Sequence, residues 1–414
     1  YGDHRDLHRV DRRQRQMCIR DRYGIGRRDE VVVPALTCPA VADAVLWLGG
    51  VPHLVDVSAR HFGMEAHSLA RVLAKGRTRA AITAPLFGAC PPSTEVDGLL
   101  ASRGVPVLED AAQSFGSRVG GRPAGGRAPI AVLSTNFDKP FTTGRGGALV
   151  VNDPSLVSAA EVLMTRSGEQ SSDEAAAVIA GLLLGDEIFT RRRYEMFVSV
   201  DAPFDYAACR EGRRLRGQLA SEEGRVAAAA ACLAVLKGAP PRARPFILAR
   251  GWRWLYPRSA VPAAVTARRL SPALAMVGLK HLSLFDDEGE RRRSLAMRFD
   301  AAFEGCGVAR GPAWGAAEDV PWPIRYPLFV NGSDRRDAVV SRLREAGYET
   351  GPYVYPRPLS GTFPYYKLSR RTGRSLRGAW RAAGSLVNLP LHAEVTEEDV
   401  GLMAVSYTHL RAHE

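Results

Sequence analysis

A lysine in a glycine-rich turn is the side chain of this sequence best placed to do chemistry. Lys139 lies in the stretch LSTNFDKPFTTGRGGALVV, between an apolar run at 131–134 and a second one at 148–151. The two runs predict strands, and the glycines that follow Lys139 predict a tight backbone passage. An apolar setting disfavours the charged ammonium form, so Lys139 is a candidate nucleophile toward an aldehyde.

A pair of carboxylates ends the preceding apolar segment. The stretch VPVLEDAAQS at 105–114 predicts a strand that ends in Glu109 and Asp110, followed by small residues suited to start a helix. Open α/β sheets bind ligands at the carboxyl ends of their strands. An acid at one strand end and a lysine after the next strand together suit pyridoxal phosphate. Lys139 would hold the aldehyde as a Schiff base, and Asp110 would keep the pyridine nitrogen protonated.

Three motifs resemble the DegT/StrS family of sugar aminotransferases. They are EDAAQ at 109–113, the S-x4-K spacing at 134–139, and KPFTTGRGG at 139–147. The resemblance covers most of the chain, from about residue 24 to 403, with a gap in the middle. It implies a fold-type I aminotransferase of the α/β class, with a mostly parallel mixed sheet, helices on both faces and a smaller C-terminal α+β domain. It also implies a pyridoxal 5'-phosphate cofactor and a homodimer.

The resemblance assigns roles to residues that match the family's motifs. Lys139 would form the Schiff base and Asp110 would pair with the pyridine nitrogen. Gln113 would neighbour the ring hydroxyl, and Ser134 would bind the cofactor phosphate. Relatives that dehydrate sugars carry histidine in place of the lysine. Lys139 therefore favours transfer of an amino group.

Thr37 and Cys38 are two further candidates for contact with the cofactor. They form the turn that leads into a predicted helix, and in the family this turn lies beside the cofactor. The family usually has an aromatic residue, stacked on the pyridine ring, where this chain has Cys38. A plain helix cap explains Thr37 equally well.

The predicted reaction moves an amino group, with glutamate as the usual donor, onto a keto sugar that is most often nucleotide-linked. Two alternatives stay open: a non-catalytic or regulatory member that binds a ligand, and another fold-type I enzyme such as a lyase. Departures from the family pattern that favour the first alternative are Cys38, Ala267, Val354 and Arg145. The intact lysine and aspartate weigh against it, because a scaffold needs neither.

The composition predicts a soluble globular protein of two or three domains. The chain has 414 residues, 46% of them apolar, and no apolar run long enough to span a membrane. Its six cysteines form no C-x-x-C pair, so the sequence indicates neither a metal site nor disulfides, and a reducing cytoplasm fits best. Despite the net charge of +12, no stripe of basic and aromatic residues matches a nucleic-acid module, and no nucleic acid is expected.

Five segments are expected along the chain. Residues 1–22 and 405–414 contain MCIRDR and VSYTHLRAHE, which match translations of the two strands of a sequencing adapter, so both ends are expected to be adapter-derived. Residues 23–160 would form the large cofactor-binding domain. Its N-terminal part is expected to be missing, because the family's phosphate-binding Gly-Thr/Ser-x-Ala turn does not precede it. Residues 161–262 would form a helical insertion, and 263–404 a connecting helix and the small domain.

The elements that must position these side chains follow from the apolar pattern. Strands alternate with helices between residues 30 and 109, which predicts a mostly parallel sheet covered on both faces. One long connecting helix is expected to begin after an R-x-S segment at 269–271, with Leu295, Phe299 and Phe303 as its buried stripe. Thr396 is expected to start the last helix with a capping box.

Overall fold

A seven-stranded mixed sheet is the largest element of this computed structural model. The residues described are 24–89, 94–136, 139–144, 146–165, 168–170, 175, 178–179, 268–306, 309–310, 319–348, 357–361, 365, 370–371 and 376–412. The strands, in chain order, are β1 Glu30–Pro34, β2 Val51–Val55, β3 Thr78–Thr83, β4 Val107–Asp110, β5 Arg118–Val119, β6 Arg122–Pro123, β7 Ile130–Ser134, β8 Gly147–Val151, β9 Gly168–Glu169, β10 Arg268–Arg269, β11 Ala309–Arg310, β12 Arg325–Phe329, β13 Arg370–Arg371 and β14 Leu386–Pro390.

The order of strands in the large sheet is β13-β2-β1-β3-β4-β7-β8. All neighbouring strands are parallel except the last pair, in which β7 and β8 run antiparallel. The carboxyl ends of β4 and β7 therefore meet at the same edge of the sheet. The prediction of a mostly parallel mixed sheet is confirmed.

Helices cover both faces of this sheet. The helices are α1 Pro39–Trp47, α2 Ala66–Leu73, α3 Thr94–Ser102, α4 Val157–Thr165, α5 Pro272–Leu282, α6 Phe285–Ala302, α7 Ser333–Glu345, α8 Arg377–Ser385 and α9 Glu397–Ala412. Val31 and Val33 of β1 share a buried core with α1 and α8, whereas Val32 shares one with α2 and α3. A strand that is buried on both faces reads as a continuous apolar run, which is why β1 is EVVVP.

The predicted long connecting helix is wrong, because the chain forms two helices that break at Ser283 and Leu284. The two helices bury different sides against different partners. Gly278 of α5 faces Phe141 and Thr143 beside β8, whereas α6 packs on the smaller sheet of the C-terminal part. A straight helix could not serve both surfaces. The predicted stripe of α6 is buried at all three positions.

A smaller antiparallel sheet, in the order β11-β12-β14, forms the centre of the C-terminal part. Its core includes Phe299 from α6, Tyr326 from β12 and Met403 from α9. The C-terminal part also reaches back to the large sheet, where β13 pairs with β2 and α8 packs in the core beside α1. The large sheet and its core are therefore built from both the N-terminal and the C-terminal parts of the chain.

The last helix begins with the predicted capping box. The Asp399 amide donates to Thr396 Oγ1 at 3.2 Å, and the Thr396 amide donates to Asp399 Oδ2 at 2.9 Å. Helix α9 continues to Ala412, and Tyr407 is buried with its ring edge-on to Phe303. The expectation that 405–414 are adapter-derived stays a prediction, but residues 405–407 belong to a packed element.

Most of the predicted insertion at 161–262 lies outside the described residues, as does the expected foreign segment at 1–22. Within the described ranges, none of the helices has the length and apolar character needed to cross a bilayer.

Candidate active site

Two candidate residues end neighbouring strands of the large sheet. Asp110 is the last residue of β4 and Ser134 is the last residue of β7, and in the register between these strands Asp110 lies opposite Val132. Both side chains are buried, with exposed fractions of 4% and 2%. Asp110 Oδ1 accepts the Ala112 amide at 3.1 Å, so one carboxylate oxygen is held by the turn that follows the strand.

Lys139 lies in the loop that connects β7 to β8. It is 7% exposed, which is rare for a lysine, because burial of an ammonium group requires compensation. Its amide donates to Asn136 O at 3.0 Å, so the main chain turns at this residue. The sequence predicts a lysine after the strand next to Asp110, and in the structure Asp110 ends β4 while Lys139 follows the end of the neighbouring strand β7.

A cluster of hydrogen bonds between Thr135 and residues 142, 143 and 146, here called the Thr135 clasp, joins the two ends of the lysine loop. The Thr135 amide donates to Gly146 O at 3.1 Å, and Thr135 O accepts the Thr143 amide at 3.0 Å and Thr142 Oγ1 at 3.1 Å. The hydroxyl groups of Thr135 and Thr143 are 2.7 Å apart. Gly146 has a φ of 144°, and a Cβ there would lie 2.9 Å from Thr135 Oγ1. Sequence reasoning missed this clasp, although the TT pair and the glycines were its signal.

Two buried hydroxyl groups, one at the end of β7 and one in the turn after β1, have no hydrogen-bond partner within the described part of the chain. They are Ser134 Oγ and Thr37 Oγ1, on side chains that are 2% and 3% exposed. A buried hydroxyl without a partner costs about 1–3 kcal/mol, which a ligand oxygen would recover. The site therefore fits an anionic ligand such as a phosphate group.

The helix-cap interpretation of Thr37 is wrong. The N-cap of α1 is Cys38, and neither residue makes a side-chain cap hydrogen bond to the helix. The Leu359 amide donates to Ala35 O at 2.8 Å, so a C-terminal segment docks against the same turn. Ser360 of that segment is a further buried residue whose hydroxyl lacks a partner among the described residues.

Gln113 is buried one turn beyond Asp110. Its Oε1 accepts the amide of Phe87 at 3.1 Å. Phe87 follows β3 and was not singled out from the sequence, since nothing in the local pattern connects two residues 26 positions apart. Three predicted departures from the family pattern lie outside the described residues: Arg145, Ala267 and Val354.

Curated aminotransferases are similar to part of this chain. An uronate aminotransferase of Pseudomonas aeruginosa, UDP-2-acetamido-2-deoxy-3-oxo-D-glucuronate aminotransferase, is 35% identical over 33% of this chain and 38% of its own length. L-glutamine:scyllo-inosose aminotransferase of Streptomyces griseus is 34% identical over 34% of this chain and 33% of its own length. The chain thus spans little more than a third of the curated relatives it matches.

The fold comparison extends over nearly the whole chain. A putative sugar aminotransferase from Streptococcus pneumoniae, solved in its PLP-form, aligns with a TM-score of 0.67 at 16% identity, covering 98% of this chain and 86% of that one. The fold-type expectation is confirmed. The model of the DegT/DnrJ/EryC1/StrS aminotransferase family matches residues 16–182 and 259–405, which is well over half of the sequence. The chain belongs to the DegT/DnrJ/EryC1/StrS aminotransferase family.

Proposed function

We propose that this protein is a pyridoxal-phosphate-dependent aminotransferase that moves an amino group onto a nucleotide-linked keto sugar. The observation that carries the proposal is that Lys139 is buried in the loop after β7, while the neighbouring strand β4 ends in the buried Asp110. Family membership supports the same reading.

Each side chain has a task in this reaction. When bound, pyridoxal phosphate supplies an electron sink that stabilises negative charge on the carbon bearing the amino group. Lys139 Nζ would hold the cofactor aldehyde and, once displaced by the donor amine, would carry the proton removed from the donor Cα. The Asp110 carboxylate would hold a proton on the pyridine nitrogen. Ser134 Oγ would donate to the phosphate, and Thr37 and Cys38 would lie beside the ring.

The substrate proposal follows the names of the relatives. One is named for a 3-oxo derivative of a UDP-linked sugar, and another for a keto inositol with L-glutamine as donor. Both acceptors are ketones on polyhydroxylated rings. We therefore propose a keto sugar as acceptor and glutamate as donor, and the assay should compare glutamate with glutamine.

A homodimer in the cytoplasm completes the proposal. Helix α5 packs against the lysine loop through Gly278, and several apolar side chains in and just after this helix are exposed. Met276 and Leu279 are 66% and 60% exposed, and Leu282 and Leu284 are also exposed. Exposed apolar patches of this kind mark interaction surfaces, and a second copy would cover this one.

Sedimentation measurements would test the dimer. We expect Leu279→Glu to convert a dimer into a monomer, because the charge would be buried between subunits. Leu402→Glu, at an exposed position of α9, is the matched control and should leave the mass unchanged. A monomeric parent protein would refute this part of the proposal.

Reconstitution of the full chain with pyridoxal phosphate tests the catalytic proposal. The parent protein should develop a visible absorbance that borohydride reduction converts to a stable adduct, and glutamate or glutamine should bleach it. Lys139→Ala should abolish the adduct, whereas Lys75→Ala, at an exposed lysine, should retain it. An adduct that survives in Lys139→Ala would overturn the assignment. A lysine-dependent adduct that no amino donor bleaches would instead favour a non-catalytic ligand-binding member.

A further inference from the structure

A left-handed turn follows strand β3 at the edge of the sheet that carries the candidate site. The Ala89 amide donates to Leu86 O at 2.9 Å, and the two central residues, Phe87 and Gly88, have φ values of 60° and 77°. Positive φ at both central positions is the pattern of a type I′ turn. Glycine adopts this conformation freely, but a side chain such as that of Phe87 adopts it at a cost of about 1 kcal/mol.

The surrounding structure holds this turn on three sides. A Cβ at Gly88 would lie 1.9 Å from Trp322 O, so the main chain of the C-terminal part lies directly against the turn. The Ile324 amide donates to Phe87 O at 3.2 Å, and Ser117 Oγ donates to Gly88 O at 2.9 Å. Strained backbone persists only where such contacts over-determine it, and it is often found at functional sites.

The aromatic ring of Phe87 packs in the core and holds the turn in place. The ring is fully buried and packs edge-on against Phe62, with ring centroids 5.0 Å apart. Phe62 in turn stacks on Phe329 of β12 at 5.5 Å. The conformation of Phe87 is therefore fixed both by its ring and by its main chain.

The amide that this turn presents is bonded to the side chain of Gln113. A main-chain N–H donates only to the oxygen of a carboxamide. The hydrogen bond from the Phe87 amide to Gln113 Oε1 therefore sets the orientation of the Gln113 carboxamide, with its oxygen toward the turn. The Nε2 end is therefore not the group that bonds this amide. It carries two hydrogens and can donate to a ligand whatever else it contacts.

We propose that Phe87 is a positioning residue for Gln113: its main-chain amide holds Gln113 Oε1, so that Nε2 is the end able to donate to the ring hydroxyl oxygen that the family resemblance places beside Gln113. The inference rests on the proposed function, because it concerns the same site. A hydrogen bond donated to the phenolate favours its charged form, so it lowers the pKa of the lysine-linked cofactor. That pKa can be read from the pH dependence of visible absorbance without turnover.

The experiment compares absorbance titrations of the full chain loaded with pyridoxal phosphate. Phe87→Ile keeps an apolar side chain but disfavours positive φ, since Ile is β-branched. It should raise the pKa of the bound cofactor by about 0.5 unit or more, which is roughly a threefold change in proton affinity. Gln113→Ala should raise it by at least as much. In the double variant the Phe87→Ile change should add nothing further, because its effect passes through Gln113.

Two controls separate conformation from stability. Phe87→Gly removes the ring but accepts the left-handed backbone, so it should lower the melting temperature while leaving the pKa of the bound cofactor near the parent value. Phe299→Leu, in the separate core of the C-terminal part, should lower the melting temperature without changing that pKa. Phe87→Ala replaces the isoleucine variant if the latter does not fold.

The outcomes distinguish this inference from the function on which it rests. An unchanged pKa in Phe87→Ile, or a shift that adds fully to that of Gln113→Ala, would overturn the positioning role while Lys139 keeps its assignment. A raised pKa in Phe87→Ile, together with a double variant whose pKa equals that of Gln113→Ala alone, supports the role. A parent protein that forms no lysine-linked adduct would overturn the proposed function, and this inference with it.

Discussion

Buried hydroxyl groups that have no partner among the described residues are candidate ligand contacts. Ser134 carries such a group at the end of β7, and Thr37 carries one in the turn that follows β1. Protein interiors seldom leave a hydroxyl unpaired, because the lost hydration is not otherwise recovered. Under the proposed function, the same atoms would lower the stability of the protein without cofactor and strengthen its affinity for the cofactor.

Ser134→Ala should separate these two effects. Removing a hydrogen bond to a charged phosphate should weaken cofactor binding about 10- to 100-fold. The free energy of unfolding without cofactor should stay the same or rise by up to about 1 kcal/mol, since an unpaired polar group is gone. Cofactor titration and urea unfolding measure the two quantities. Ser102→Ala, at an exposed position of α3, is the control, and equal affinity in both variants would contradict the phosphate role.

The sequence revealed the charged members of the site more readily than the neutral ones. Lys139 and Asp110 stand out because ionisable groups are unusual at the ends of apolar strands. The role of Thr37 was ambiguous in the sequence, since a threonine hydroxyl can form a hydrogen bond either to the first turn of a helix or to a ligand. The contact of Gln113 with Phe87 depends on a turn whose conformation is set by the C-terminal part, so no local pattern could predict it.

At the scale of elements, helix α6 and the tryptophan that precedes β12 show how closely two parts of the chain approach. Trp322 stacks on Phe285 with ring centroids 4.9 Å apart. A Cβ built on Gly289 would lie 2.1 Å from Trp322 Nε1, and one on Gly116 would lie 2.5 Å from Trp322 Cδ1. The two glycines thus form the slot that admits the indole ring.

Gly289→Ala and Gly98→Ala form a matched pair of helix substitutions. Alanine normally stabilises a helix by about 0.5–1 kcal/mol relative to glycine. At Gly98 in α3 a Cβ meets nothing within 4 Å, so the free energy of unfolding should rise by about that amount. At Gly289 the clash with Trp322 should outweigh the gain in helix propensity, so the free energy of unfolding should fall by about 1–2 kcal/mol. Urea unfolding would measure both, and changes of the same sign would contradict the slot.

Strands were predicted better than helix boundaries because their signal is local. The run EVVVP of β1 is apolar at almost every position, and alternation within it sends side chains to two cores. The break between α5 and α6 has no comparable signal. It arises because Leu274 and Leu295 are buried against different parts of the molecule, and only the packed structure contains that information.

At the scale of the whole molecule, a charged network ties α6 to the loops around the smaller sheet. Glu288 accepts hydrogen bonds from Arg292 at 2.7 Å and from Arg291 at 2.8 Å. Arg292 also donates to Ile324 O at 3.3 Å, and Arg291 donates to Leu391 O at 3.0 Å. Partial burial raises the pKa of Glu288, but the hydrogen bonds and charges of the two arginines outweigh burial, so the pKa falls below its ordinary value of 4.5.

The lowered pKa predicts how stability depends on pH. The stabilisation from Glu288 is fully present above the ordinary value of 4.5 and is lost as the pH falls through the lower folded-state pKa. Glu288→Gln should therefore lower the free energy of unfolding by about 1–3 kcal/mol at neutral pH, and the deficit should shrink in acid. Denaturant unfolding across this range measures it. Glu304→Gln, at an exposed position, is the control and should show no pH-dependent loss in the free energy of unfolding. A loss in Glu288→Gln that stays the same at every pH would refute the network.

The pairing of β13 with β2 has a consequence for folding during translation. His53 in β2 pairs with Arg370 of β13, which is synthesised more than three hundred residues later. Until that residue leaves the ribosome, one rim of the nascent sheet has open main-chain groups that any other extended chain could occupy. Yield in cells should therefore depend on chaperones that shield this rim during synthesis, because the molecule completes its own edge almost last.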